Sequence, residues 1–255
     1  MPLRGRKVAR KSTQAATSSS IRSATQTIQA IYDISRDVFE SSTPGFVPLP
    51  SDVARLTELL NGLTLRDVGL HLSMPCFRAD TQDRRKVTYL HYEKSPKFSV
   101  CQVFVHLFDS TLENLKFGVF YLPQSTMIPL HDHPGMTVFS KILHGSMHIK
   151  SYDWVIDTPT SNLVTRMPNG ARLAKIHSDA VFDASSETVV LYPENGGNLH
   201  RFTGISPCVV LDVMGPPYSA EEGRDCSYFG SRVAQGGGDG QYAWLNKVDF
   251  TPEMN

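Results

Sequence analysis

From Ser20 onward, apolar residues fall at Ile21, Ala24, Ile28, Ile31, Ile34 and Val38. Spacings of three and four put such side chains on one face of a helix, so an amphipathic helix is predicted here. The stretch STPGFVPLP, residues 42–50, breaks the pattern with three prolines and a glycine. Ser51 then reads as a helix N-cap ahead of Val53, Leu56, Leu59 and Leu60, and Asn61-Gly62 closes that second helix. Helices this short cannot bury a core alone, so both are expected to pack on the main domain.

Near Val87 the pattern changes. VTYLHYE, SVCQVFVHL, FGVFYL, MTVFSKIL, SMHIKSY, TVVLY and CVVLDVM are short β-rich runs separated by Gly, Pro, Asn and Ser. Several alternate, as Val100, Gln102 and Phe104 do with Cys101, Val103 and Val105. Many short strands with frequent turn signals predict a closed or sandwich-like β fold. Met167-Pro168-Asn169-Gly170 reads as a hairpin turn, and residues 236–240 (GGGDG) as a flexible loop. No internal repeat is visible.

Composition narrows the class. A chain of 255 residues, 40% hydrophobic and 20% charged, is an ordinary globular protein with room for one substantial core. No apolar run approaches the roughly 20 residues of a membrane span, and the N-terminus lacks a secretory apolar core. Cys76, Cys101, Cys208 and Cys226 are widely spaced without a CxxC pair, which favours a reducing compartment over a disulfide framework.

Basic and acidic residues number 25 each, but residues 1–30 hold six basic residues and no acid. The tail RGRKVARK and the Ser/Thr/Ala/Gln-rich sequence after it have three readings: a solvated disordered tail, a nuclear address, or an organelle transit peptide. Nucleic-acid binding is disfavoured because no aromatic residues interleave with the charges. The expected organisation is a tail over 1–19, a helical segment over 20–66 and a β domain over 67–255.

The chemistry concentrates in PLHDHPGMTVFSKILHGSMHIKSYDW, residues 129–154. On an extended segment, residues i and i+2 point the same way, about 6.5 Å apart. His131 and His133 can therefore face one interior and hold one ion; the competing reading is two surface histidines beside a turn. The pattern resembles the first motif of cupin barrels, HxH followed by a hairpin-closing Gly145, but the usual Glu position falls on Thr137 or Val138. YPENGGNLH resembles the second cupin motif, stretched by two residues, with Pro193, Gly197 and His200. His200 is thus the expected third ligand. The resemblance implies a mainly β fold, a cupin (double-stranded β-helix or jelly-roll) barrel with N-terminal helices. A three-histidine set is neutral, so Fe(II) keeps its +2 charge for anionic guests such as a thiolate; zinc is the rival metal.

HDHPGMTVFSKILHGSMHIKSYDW, LYPENGGNLHRFTG and VVLDVMGPPYS together resemble the plant cysteine oxidases, relatives of animal cysteamine dioxygenase, over roughly residues 68–250. The resemblance implies nonhaem Fe(II) on His131, His133 and His200. It also implies dioxygenation of the N-terminal Cys of protein substrates to a sulfinic acid. In plants those substrates are ethylene-response transcription factors, whose oxidised N-termini are arginylated and degraded, so the enzymes act as oxygen sensors. The expected partners are such proteins and O2, with the enzyme a monomer in nucleus and cytoplasm.

Three more positions correspond to residues lining that family's site. Asp212 either holds the substrate's α-ammonium or tunes a bound water or histidine, or is a structural Asp satisfied by backbone or Arg. Tyr218 either donates to an oxygen intermediate or anchors a turn. Cys226 either joins Tyr228 in a thioether or is a plain structural cysteine. His148 has a reading as a neighbour of the ligands; His144 reads as a turn residue, and His71, His91, His106 and His177 as surface or ordinary core. The alternatives to an N-terminal cysteine dioxygenase are a small-thiol (cysteine or cysteamine) dioxygenase and a non-catalytic metal-binding cupin.

Overall fold

A computed structural model describes residues 26–73, 88–89, 114–156, 164–234 and 241–249. The tail, Ile21, Ala24, Cys76, His91, the SVCQVFVHL run (with Cys101 and His106) and the 236–240 loop lie outside the described residues.

Helix α1 occupies residues 26–39, and the predicted face is the buried one: Ile28, Ile31 and Val38 are all inside, joined by Phe39. Helix α2 (Pro50–Asn61) starts two residues earlier than expected. Its N-cap is Leu49, with no side-chain cap, so the Ser51 cap is corrected. Pro50 explains the shift, because its fixed φ suits the first helical turn and its missing N–H has no intrahelical partner there anyway. Leu56 and Leu60 are fully buried, each contributing roughly 1.5–3 kcal/mol of hydrophobic stabilisation.

Eleven strands follow among the described residues: β1 (Thr88–Tyr89), β2 (Lys116–Leu122), β3 (Met127–His131), β4 (Thr137–His144), β5 (Ser146–Trp154), β6 (Arg172–Asp183), β7 (Val189–Leu191), β8 (Leu199–Gly204), β9 (Cys208–Gly215), β10 (Tyr228–Val233) and β11 (Tyr242–Val248). One antiparallel sheet has the order β1-β2-β9-β4-β7, and the other six strands close a ring in the order β10-β11-β6-β5-β8-β3. The MPNG hairpin forms as predicted, with Gly170 N–H donating to the Met167 carbonyl at 3.0 Å. Gly145 at the β4–β5 corner has φ +74, and a Cβ there would collide with the Pro207 carbonyl, so only glycine fits.

Strand β9 divides the interior. Val209, Leu211 and Val213 join α1 and α2 in one core with Val119, Tyr121 and Phe139. Cys208 and Val210 belong to a second core with Ile142, Met147, Ile149 and Phe202, and Met214 to a third with Val138 and Leu191. Because side chains alternate across a strand, Asp212 lies in the second row, between Val210 and Met214, on the face away from the helices.

Candidate metal centre

His131 is the last residue of β3, and the ladder sets it opposite His200 on β8 and Tyr228 on β10. Pro129 within β3 cannot donate to a ladder, and the β3–β8 register shifts between Ile128 and His131 to accommodate it. His133 follows after the strand has ended. The three imidazoles are 8%, 3% and 2% exposed, and their ligand nitrogens all lie within 4.8 Å of one another. Among the described residues they form the cluster with ligand chemistry for a metal. The expected pairing of HxH with a distant histidine is what the barrel brings together.

Hydrogen bonds decide which nitrogens face inward. His131 Nδ1–H donates to the Pro129 carbonyl at 2.8 Å, leaving Nε2 with its lone pair. The Tyr218 hydroxyl donates its single proton to the Asp132 carbonyl at 3.0 Å. Its oxygen must then accept from His133 Nδ1–H at 2.8 Å, which again leaves Nε2 free. His200 stacks on Phe202 with ring centroids 4.5 Å apart. Its Nε2 lies 3.3 Å from His133 Nε2.

Burial lowers the pKa of all three rings; His133 and His200 fall well below the ordinary value, with repulsion from the neighbouring rings adding to burial there, while the Pro129 hydrogen bond opposes it at His131. Protonation is therefore disfavoured at neutral pH. With Nε2 of His131 and of His133 left as acceptors and His200 Nε2 only 3.3 Å from His133 Nε2, three neutral rings in this arrangement fit a divalent metal ion. Orienting partners on the outer nitrogens are what metal-binding histidines need.

The positions where cupins carry a Glu are otherwise engaged. Thr137 donates its hydroxyl to the Phe46 carbonyl at 2.7 Å, and Val138 is core. The donor set thus has no carboxylate. A family model described as PCO_ADO matches residues 59–253.

The chain belongs to the PCO_ADO family.

It is 39% identical to "Plant cysteine oxidase 1" of Arabidopsis thaliana, over 89% of this chain and 75% of that protein. It is 29% identical to "2-aminoethanethiol dioxygenase" of Mus musculus, over 74% of this chain and 71% of that one. A solved protein with a double-stranded β-helix domain from Klebsiella pneumoniae is 13% identical, with a TM-score of 0.30, over 46% of this chain and 75% of that chain.

In this PCO_ADO chain the other singled-out residues fall into two groups. Asp212 is 3% exposed, paired across the sheet with Ser140 and Gly118. Burial pushes its carboxyl up to about 7 against a lowering hydrogen bond from Ser140, and Oδ1 has no hydrogen-bond partner. It also acts electrostatically on Tyr218. Tyr218 is held protonated, its pKa raised first by burial and then by Cys226. Its hydroxyl is committed to Asp132 and His133, so in this geometry it orients a ligand. Burial pushes the Cys226 thiol up to about 11, against the lowering influence of the Tyr218 and Tyr228 hydroxyls beside it. Cys226, Tyr218 and Tyr228 therefore form one cluster beside His131 and His133.

The second group lies elsewhere. His148 pairs with Asp179 at 2.8 Å on the half-exposed side of β5, which corrects its reading as a neighbour of the ligands. His71 and His177 are exposed, as expected.

Two supports escaped the sequence reading. Asn198 is buried and bonds the main chain at His133. Asp153 accepts from Gly197 N–H at 2.7 Å and pairs with His177 at 3.0 Å, holding the segment that leads into His200. Gly197 has φ +80, and a Cβ there would sit 2.5 Å from Ser151 Oγ. The string PENGGN carries Gly197 and Asn198, but as turn composition only.

Proposed function

We propose that this protein is an Fe(II)-dependent dioxygenase that converts the N-terminal cysteine of protein substrates to cysteine sulfinic acid. The observation that carries the reading is the carboxylate-free trio of buried, neutral histidines in a chain 39% identical to a plant cysteine oxidase. In the overall change the thiol sulfur gains both atoms of O2, and four electrons pass from sulfur to oxygen, so R–SH and O2 give R–SO2H with nothing else consumed. Bound to this trio, iron(II) would supply a Lewis-acidic, redox-active centre for thiolate and O2. The acceptors are uncharged, so the metal's full +2 remains to favour an anionic sulfur ligand.

The protein's own residues supply the rest. Burial excludes water from the ligands. Pro129 and Tyr218 fix two imidazole orientations. Asp212, on the inward row of β9, is the group proposed to receive the substrate's α-ammonium when ionised. Cys226, beside Tyr228, either joins it in a thioether or stays a plain structural cysteine. In the cell the reading makes the enzyme an oxygen sensor of nucleus and cytoplasm, marking ethylene-response transcription factors for arginylation and degradation.

The similarity to a 2-aminoethanethiol dioxygenase favours one second reading, a small-thiol dioxygenase. Mass spectrometry on four substrates separates the two: a Cys-initiated peptide, its N-acetyl form, free cysteine and cysteamine. The free peptide should gain about 32 Da, two oxygens, while the acetylated peptide and free cysteine react little. Equal rates on free and acetylated peptide overturn N-terminal specificity. Faster turnover of cysteamine than of any peptide establishes the second reading.

A further inference from the structure

His131 and His200 face each other across a strand ladder, which fixes both backbones. His133 lies past the end of β3 and has no ladder partner. Something else must place it.

Asn198 makes the contacts a ladder would have made. Its Oδ1 accepts from the His133 main-chain N–H at 2.9 Å, and its Nδ2 donates back to the His133 carbonyl at 3.1 Å. The two bonds imitate the reciprocal N–H and C=O exchange of an antiparallel pair. The second Nδ2 proton goes to the Tyr192 carbonyl at 2.9 Å, with the Met136 carbonyl at a longer 3.5 Å. Every donor and acceptor of the amide is used, and the side chain is 5% exposed. Asn198 also stands two residues before His200 on the same segment. It therefore ties the backbone of one candidate ligand to the segment that delivers another.

Resting on the three-histidine metal site argued above, we infer that Asn198 is a positioning residue that sets where His133 meets the metal. Tyr218 fixes the rotation of the imidazole through Nδ1, and Asn198 fixes the backbone that carries it. An aspartate keeps the acceptor but replaces Nδ2, which donates to the carbonyls of His133 and Tyr192, with one oxygen that repels both. Only an amide satisfies all three groups.

The test uses metal-stripped full-length protein titrated with Co(II), whose visible spectrum reports coordination geometry. Asn198→Ala should weaken Co(II) binding by about 10- to 100-fold and alter the spectrum. Asn198→Asp should be no better than Asn198→Ala. Asn61→Ala is the control, since Asn61 Oδ1 accepts from the N–H and the hydroxyl of Thr188, which stands just before β7 and off the β3–β8 ladder. It should lower Tm and leave the Co(II) affinity and spectrum intact. If Asn198→Ala does not fold, Asn198→Ser is judged by the same criteria. A folded Asn198 variant with wild-type Co(II) affinity and spectrum overturns the inference. A wild-type protein that binds no Co(II) overturns the metal site beneath it.

Discussion

Asp212→Asn removes a charge from the interior at nearly constant volume. The carboxyl sits between Val210 and Met214, 3% exposed, with Oδ1 unpartnered, and burial pushes it from 3.8 up to about 7. At about 1.4 kcal/mol per unit, that shift corresponds to roughly 4 kcal/mol of preference for the neutral form. Between about pH 4 and 7 the folded protein holds a proton that the unfolded chain has released. This contribution is fully present below the unfolded value near 3.8 and is lost as pH rises through about 7. Asparagine does not titrate, so it loses nothing over the same range. For a chain of this size, 1 kcal/mol is about 2–4 °C in Tm. The Tm of Asp212→Asn should therefore gain on wild type by on the order of 10 °C between pH 4 and pH 8. The three buried histidines act in the opposite direction: with lowered pKa values, they cost stability as pH falls below about 6.5. They are present in both proteins and cancel in the difference. Thermal unfolding of chelator-treated protein at five pH values reads this directly. A Tm difference that stays flat across the range refutes the buried, proton-holding carboxyl. In the metal-loaded enzyme the same variant should keep its iron and lose most turnover on a Cys-initiated peptide.

Tyr218→Phe leaves His133 Nδ1–H and the Asp132 carbonyl without their partner, at about 1 kcal/mol for each bond. Expected are a Tm lower by a few degrees and metal affinity weaker by about 10-fold or more, read by metal titration; unchanged affinity would remove Tyr218 from the site. His200→Ala should abolish stoichiometric iron, because two histidines hold a divalent ion poorly, and full iron content with activity by metal analysis and oxygen uptake would reject the third ligand.

What the sequence showed in advance follows from which signals are local. The faces of α1 and α2 were legible because Ile28, Ile31, Leu56 and Leu60 repeat at helical spacing and are all buried. Strands β2, β4, β5, β7 and β9 were legible because their residues are β-rich and bounded by turn formers. Strand β3 was hidden by Pro129, which argues against a strand until the register shift beside it is seen. Strand β6 was hidden by its composition: its last nine residues, from Lys175 onward, mix polar and apolar side chains and are largely exposed. Strand β8 was read only as the end of a histidine motif, and β10 and β11, YFGSRV and YAWLNKV, flank a segment that the sequence marked only by its Gly-rich loop.

The candidate site divides in the same way. The histidines were visible because metal ligands must be particular residue types at particular spacings. Asn198 was not, because a hydrogen bond to a backbone can be made by many residues from many places, and Tyr218 was named through the family resemblance but not as a support of His133. Asn198 reaches His133 across 65 positions, and Tyr218 reaches it across 85. Neither distance leaves a trace in local composition. Two of the ligands inherit their places from the β3–β8 ladder, which any barrel of this topology would provide. The remaining ligand stands off the ladder, and its place rests on two side chains that the barrel merely brings near. Substitutions at those side chains should therefore disturb the metal more than the fold, whereas substitutions along β3 and β8 should disturb both.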